Sequence, residues 1–152
     1  MPNLFPADDN LETVEVDNSN TYKYNLKKSY AFDFEKGEFI TKPDGGVALV
    51  DDLKAYEQWC TKVLLTKRYS KDAYSDLYGH ELQKLINSGL NRPAIQMEIE
   101  RMVSEALMVH PRTKLVNNFT FDRKSNDSEV IFEFDVYTKD EEQIKLNSTM
   151  RR

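Results

Sequence analysis

Cysteine is nearly missing from this chain: Cys60 stands alone in 152 residues. A lone thiol excludes an internal disulfide and suits a reducing compartment better than a secreted scaffold. Histidine is almost as scarce, with only His80 and His110, and Trp59 is the single tryptophan. Long apolar runs are missing too. The longest aliphatic stretches are about four residues, far below the roughly 20 that a membrane span needs. A basic excess is also lacking. Lys and Arg number 21 against 26 Asp and Glu, a net charge of −5. A nucleic-acid binder usually carries a basic stripe, so that class is excluded as a leading reading. The start, Met1-Pro2-Asn3-Leu4-Phe5-Pro6, puts no cationic segment ahead of an apolar run, so no signal peptide is expected. Synthesis and folding in the cytoplasm are expected.

What is present reads as one domain behind a polar arm. A chain of this length buries roughly 70% of its unfolded surface, enough for one core. Residues 1–28 are polar, with two prolines and the turn-rich Asp17-Asn18-Ser19-Asn20. They read as an extended N-terminal arm with room for a short strand at Thr21–Tyr24. Residues 29–152 form the expected α+β domain. From Tyr30 to Ile40, Phe32 and Phe34 alternate with Asp33, the pattern of a half-buried strand interrupted at Gly37. Lys42-Pro43-Asp44-Gly45-Gly46 reads as a loop.

Three helices are expected next. In the first, within Asp44–Leu65, Val50, Leu53, Tyr56, Cys60, Val63 and Leu64 recur every three or four residues, with Trp59 beside that stripe. Cys60 is then a small buried hydrophobe rather than a nucleophile. A second, short helix spans Gly79–Ser88. The third begins at the N-cap Asn91, with Pro93 in its first turn, and runs to about Val109. Ile95, Ile99, Met102, Val103, Ala106 and Leu107 are its core face, while Glu98, Arg101 and Glu105 pair on its solvent side. Pro111 stops it. The period then drops to two. Leu115, Asn117, Phe119 and Phe121 share one face of a strand, and Val130, Phe132, Phe134 and Val136 one face of the next. Lys124–Asp127 reads as the hairpin turn between them, Lys139–Glu142 as a second turn, and Ile144 and Leu146 mark a third strand. The order gives an N-terminal strand, three helices, then an antiparallel three-stranded meander with the helices on one face.

No catalytic or metal constellation emerges. His80-Glu81-Leu82-Gln83-Lys84 begins like a zinc-protease helix, but Lys84 stands where the second histidine belongs. His110 sits at a helix end, a place for interaction with the last carbonyls. There is no glycine-rich phosphate loop and no Gly-x-Ser-x-Gly elbow. A glycosidase needs two carboxyls at a fixed separation across a sugar cleft, and Glu98, Glu100 and Glu105 have ordinary solvent-face roles. No enzyme activity and no cofactor are expected. Tyr69, Tyr74 and Tyr78, between two helices, suit either amphipathic packing or an interface.

Leu65-Thr66-Lys67-Arg68-Tyr69, then Tyr74-Ser75-Asp76-Leu77-Tyr78-Gly79-His80-Glu81-Leu82, then His110-Pro111-Arg112, follow in an order that resembles the baseplate wedge and sheath-initiator family of contractile phage tails and phage-tail-like bacteriocins. The likeness is strongest to its Gram-positive prophage subgroup and covers about Tyr30 to Leu146. The wider family carries Glu-Pro-Arg where this chain has His110-Pro111-Arg112. The resemblance implies a structural part of a baseplate, made in the bacterial cytoplasm, with six copies around the tail tube. It implies as partners a larger wedge protein, tube or hub proteins and the tail sheath protein, and neither nucleic acid nor membrane. Arg68, Tyr69, Tyr74, Tyr78, Gly79, His110, Pro111 and Arg112 are the expected wedge-facing residues. Val130, Phe132, Phe134, Val136, Ile144 and Leu146 mark the sheet expected to template the sheath by strand addition. The competing readings are a peptidoglycan hydrolase of a tail, since some members are labelled lysozymes, and a small cytosolic regulator that binds a protein partner.

Overall fold

The computed structural model describes residues 28–122 and 129–151. The expected arm at 1–28, its strand at Thr21–Tyr24 and the hairpin turn at Lys124–Asp127 fall almost wholly outside these residues. Four two-residue strands come first: β1 (Ser29–Tyr30), β2 (Phe32–Asp33), β3 (Glu38–Phe39) and β4 (Leu49–Val50). They are followed by α1 (Asp52–Leu65), a single 3-10 turn at Leu82–Leu85 and α2 (Arg92–Met108). The chain closes with β5 (Thr113–Phe121), β6 (Glu129–Thr138) and β7 (Gln143–Arg151), an antiparallel sheet in the order β5-β6-β7.

The α+β class and the C-terminal meander match expectation, but three details do not. The single N-terminal strand is broken. The Asp33 carboxylate accepts the amides of Glu35 and Lys36, and Gly37 turns at φ +74°, so β2 folds straight back onto β3. The first helix begins at Asp52, not within the Asp44–Gly46 turn, and Val50 belongs to β4. Among the described residues two α-helices form instead of the three expected. Between Gly79 (φ +91°) and Gly89 (φ +67°) the chain has room for one tight turn, which buries Leu82 and Leu85 three residues apart.

The core lies between the helices and one face of the sheet. Tyr56, Cys60, Val63 and Leu64 of α1 meet Ile95, Ile99, Val103, Ala106 and Leu107 of α2. The sheet supplies Phe132, Phe134 and Val136 from β6 and Ile144, Leu146 and Met150 from β7. α2 starts as its sequence indicates: Asn91 Oδ1 accepts the Ala94 amide at 3.0 Å, with Pro93 in the first turn. Its solvent side carries Arg101 between Glu98 (2.9 Å) and Glu105 (3.1 Å). Such exposed pairs contribute tenths of a kcal/mol, so the apolar face holds the helix in place.

β5 departs from strict alternation. Its register against β6 slips by one residue between Thr113 and Leu115, and again between Asn117 and Thr120, where Asn118 takes φ +57°. The first bulge turns Leu115 out to solvent and Val116 into the core; the second brings Phe119 and Phe121 back against it. The expected face of Leu115 with Asn117 is thus replaced. Val116→Ala should lower unfolding stability by about 2 kcal/mol, whereas Leu115→Ala should stay within about 0.5. Urea melts of the two variants test this, since an unbulged strand would reverse the order.

Candidate functional site

The tyrosine-rich connection folds back on the end of α1 and is pinned there. Arg68 N–H donates to the His80 carbonyl (2.8 Å), and His80 N–H donates to the Thr66 carbonyl (3.0 Å). Gly79 lies inside this closure, where an added Cβ would meet Thr66 O at 2.6 Å. Glycine is therefore required by space as well as by its positive φ. The His80 ring holds the same corner. Its Nδ1 accepts the Leu82 amide (3.2 Å), which leaves Nε2–H to donate to the Leu64 carbonyl at 2.9 Å. Both ring nitrogens are engaged with backbone. Arg68, its side chain nearly buried, reaches Glu105 of α2 at 2.8 Å.

From this corner a line of rings runs along α1. Lys62 Nζ lies 5.1 Å from the Tyr74 ring, and Tyr74 stacks on Tyr78 at 4.6 Å. Tyr78 meets Trp59 edge-on at 6.1 Å, and Trp59 meets His110 at 4.5 Å. His110 meets Tyr56 at 4.9 Å, and the Arg112 guanidinium lies 5.7 Å from the Tyr56 ring. The ladder thus joins the tyrosine connection to the His-Pro-Arg turn. Tyr69 stands apart from it, 68% exposed and held at φ +60°. A non-glycine residue in that region costs about 1–2 kcal/mol. Trp59 and Tyr56 belong to this site, although the sequence reading placed Tyr56 only in the core stripe and Trp59 beside it.

The His-Pro-Arg turn is built from the inside. Pro111 is exposed, but Arg112 is only 2% exposed. Its Nη1 donates to Asp52 Oδ1 at 2.8 Å and its Nη2 to Glu142 Oε2, while Nε lies 3.3 Å from Asp140 Oδ2. Sequence reasoning missed these three carboxylates. Asp140 and Glu142 fell within the expected turn Lys139–Glu142, and Asp52 within the expected first helix, with nothing in sequence to tie them to Arg112. The Arg112 amide donates to His110 Nδ1 at 3.1 Å, so His110 braces the turn rather than meeting the last helix carbonyls. Next to it, Thr113 Oγ1 donates to the Leu107 carbonyl (2.7 Å), so the Tyr56 hydroxyl donates to Thr113 Oγ1 (2.6 Å). Burial raises the Tyr56 hydroxyl pKa far above its usual range and pushes the Cys60 thiol up to about 12. Neither is an activated group.

The residues expected to template the sheath divide between two strands. Phe132, Phe134 and Val136 are buried in β6, and Val130 is half-buried. β6 is the central strand, paired on both sides, so no arm can be added to it. Ile144 and Leu146 point into the core from β7, whose far side has no strand beside it among the described residues. The open groups of β7 follow from the ladder. Ile131 O accepts the Asp122 amide, so the odd-numbered residues of β6 direct their backbone groups to β5 and the even-numbered ones to β7. The partners of the even residues, Ile144, Leu146, Ser148 and Met150, therefore bond inward. Lys145, Asn147 and Thr149 turn their N–H and C=O groups outward.

Two shallow grooves lie on the described surface. One, of about 410 Å³, runs between α2 and the bulge of β5 and is lined by Met97, Arg101 and Asn117 among others. The other, of about 550 Å³, lies in the tyrosine connection between Leu65 and Tyr74. Among the described residues, no cluster of three or more His, Cys, Asp or Glu side chains is suited to a metal ion. No helix among them is long and apolar enough to cross a membrane.

A family model described as the contractile injection system sheath initiator matches residues 28–141, three quarters of the chain. The chain belongs to the sheath initiator family. It is 29% identical over 132 residues to the phage-like element PBSX protein XkdS of Bacillus subtilis (strain 168), covering 86% of this chain and 84% of that protein. Among solved structures, its fold is similar to a putative tail lysozyme from Geobacter sulfurreducens. That match has a TM-score of 0.58 and 18% identity over 68% of this chain and 94% of that one. It is also similar to a chain of the anti-feeding prophage baseplate, with a TM-score of 0.53 and 16% identity over 83% and 86% of the two chains. The sheath initiator is thus a structural baseplate component of a contractile injection system.

Two predictions come from the turn and its imidazoles. Arg112→Ala leaves three carboxylates gathered without their cation and should cost about 3 kcal/mol of stability in a urea melt. Arg112→Lys should recover little of it, because one ammonium cannot bridge three elements as a planar fork does. The second concerns pH. Burial lowers the His80 and His110 pKa values, with the Arg112 charge adding to the shift at His110. Between those depressed values and the unfolded value of about 6.5, the unfolded chain binds more protons. The stability they contribute is therefore full above about pH 6.5 and is lost as pH falls below it. The urea midpoint should drop from pH 7.5 to 5.5, and a His80→Gln/His110→Gln variant should show a smaller drop.

Proposed function

We propose that this sheath initiator starts the first ring of the contractile sheath by accepting an extended sheath arm along β7, and that it does so without catalysis. The observation that carries the reading is the side of β7 that has no strand beside it among the described residues, where Lys145, Asn147 and Thr149 offer backbone donors and acceptors at every second residue. An extended peptide that pairs there gains main-chain hydrogen bonds without disturbing the core behind it. The alternation of Ile144 and Leu146 inward with polar residues outward keeps the edge soluble until an arm arrives. The tyrosine connection and the His-Pro-Arg turn face the larger wedge protein in this reading, and six copies surround the tube. Arg112 then serves by holding the turn in shape, while Tyr69, Tyr74 and Pro111 make contact.

The name of the Geobacter sulfurreducens neighbour raises a peptidoglycan hydrolase as the second reading. The carboxylates disfavour it: Glu98 is tied to Arg101, and Glu105 to Arg101 and Arg68, on an open helix face. Purified protein is expected to leave the turbidity of a cell-wall suspension unchanged. Clearing would overturn the structural reading.

Strand addition is tested by Asn147→Pro. Asn147 is exposed and its N–H points away from β6, so the substitution removes one free donor and no ladder bond. The variant should melt within about 1 kcal/mol of wild type. Particles assembled with it should carry baseplates and tubes but few sheaths in electron micrographs. Normally sheathed tails would count against β7 as the template.

A further inference from the structure

The concavity between the end of α1 and the tyrosine connection combines an apolar surface with basic side chains that are unpaired among the described residues. Leu65, Thr66, Lys67, Ser70, Lys71 and Tyr74 form most of its wall. Leu65 is 62% exposed at the last position of α1 and gives the concavity an apolar surface beside Tyr74. Lys67 and Lys71 are the only charged residues in the lining, and neither has a carboxylate partner among the described residues. Lys62 adds a third ammonium over the Tyr74 ring at the rim. Asp72 and Asp76 belong to the same connection but do not line the groove. A chain of net charge −5 thus carries one local concavity that is wholly basic and floored by a leucine and a tyrosine.

The groove is also held in shape before anything binds. Thr66 Oγ1 donates to the Lys62 carbonyl (2.7 Å) and Ser70 Oγ to the Lys67 carbonyl (2.7 Å). The Tyr74 amide donates to the Lys71 carbonyl (3.2 Å), and the Gly79–His80 closure fixes the far end. A wall already ordered loses little conformational entropy on binding.

We infer that this groove docks an acidic segment of the larger wedge protein, with one apolar or aromatic side chain seated on Leu65 and Tyr74 and two carboxylates reaching Lys67 and Lys71. The inference deepens the wedge-facing half of the proposed function and rests on it. Charge complementarity selects the occupant: aliphatic burial supplies attraction, and the paired lysines set the sign and the register. A concave wall suits a protruding peptide better than a lipid surface, which a convex basic face would meet.

A benzophenone-bearing residue in place of Ala73, in the lining, tests this in particles purified from the host that encodes the chain. The crosslinked peptide is expected to come from the larger wedge protein, with carboxylates flanking an apolar residue. A crosslink to sheath or tube subunits, a peptide without carboxylates, or no crosslink from an incorporated chain would overturn the proposal. Lys67→Glu/Lys71→Glu should reduce incorporation about tenfold, while Lys67→Arg/Lys71→Arg keeps it, with thermal midpoints unchanged in both. Wild-type incorporation of the charge-reversed chain would sink the groove while leaving the baseplate role standing. Absence of the wild-type chain from the particles would remove both. The protein is expected not to sediment with vesicles containing about 30% anionic lipid; charge-sensitive sedimentation would assign the groove to a membrane and overturn the peptide.

Discussion

One guanidinium joins three parts of this fold. Arg112 leaves the His-Pro-Arg turn and meets Asp52 at the start of α1 and Asp140 and Glu142 in the turn between β6 and β7. Helix, strand entry and hairpin are all referred to a single buried cation. Burying that charge is costly, and three partners offset the cost, each contributing through its own hydrogen bond or ion contact. The partners are themselves partly wet, which lets three anions sit around one cation without a severe mutual penalty. Two of the joined segments take unusual backbone shapes. Asp52 lies at φ +47° and Glu141, between Asp140 and Glu142, at φ +64°. Such conformations persist where surrounding contacts over-determine them, and the arginine supplies those contacts.

From that anchor the molecule divides its labour along α1. The helix has 14 residues, so its ends lie about 20 Å apart. The Arg112 clamp holds the first end, and the tyrosine connection closes on the last. The ring ladder between them is a rigid strip rather than a set of independent side chains, because each ring is held by the next. The proposed wedge-facing surface would gain from such stiffness, since less freedom is lost on docking. The sheet works in the opposite sense. Its core face is closed, and its β7 edge has no strand beside it among the described residues, which is the edge that the proposed strand addition would use.

Much of this was legible in the sequence where periodicity is long. α2 carries its N-cap, its proline and an uninterrupted apolar face, and β6 alternates cleanly, so both were read close to their observed bounds. Short elements were not. The segment after Gly79 shows helical spacing at Leu82, Leu85 and Ile86, but three positions over one turn also fit a 3-10 turn. β5 misled for another reason. A bulge inserts one residue with no mark beyond an asparagine able to adopt positive φ, and Asn117-Asn118 was read as ordinary strand. The site was half visible. Tyr74, Tyr78 and His110 announced themselves by type and spacing. The carboxylates around Arg112 lie 60, 28 and 30 positions from it in sequence, and no local pattern links them.

The histidine at position 110 gains meaning from the same geometry. In the resembling family a glutamate precedes the proline and arginine. Here the His110 ring uses Nδ1 to accept the Arg112 amide, a bond that a carboxylate oxygen could equally accept. The acceptor is kept and the charge is not. A glutamate at this point would place a fourth anion near one guanidinium already shared by three. The imidazole avoids that surplus and adds a flat ring, which fills the space between Tyr56 and Trp59 and extends the ladder to Arg112. Burial and then the adjacent Arg112 charge both lower its pKa. The turn that presents Pro111 is therefore braced at position 110 by an aromatic ring that accepts the Arg112 amide and adds no fourth anion.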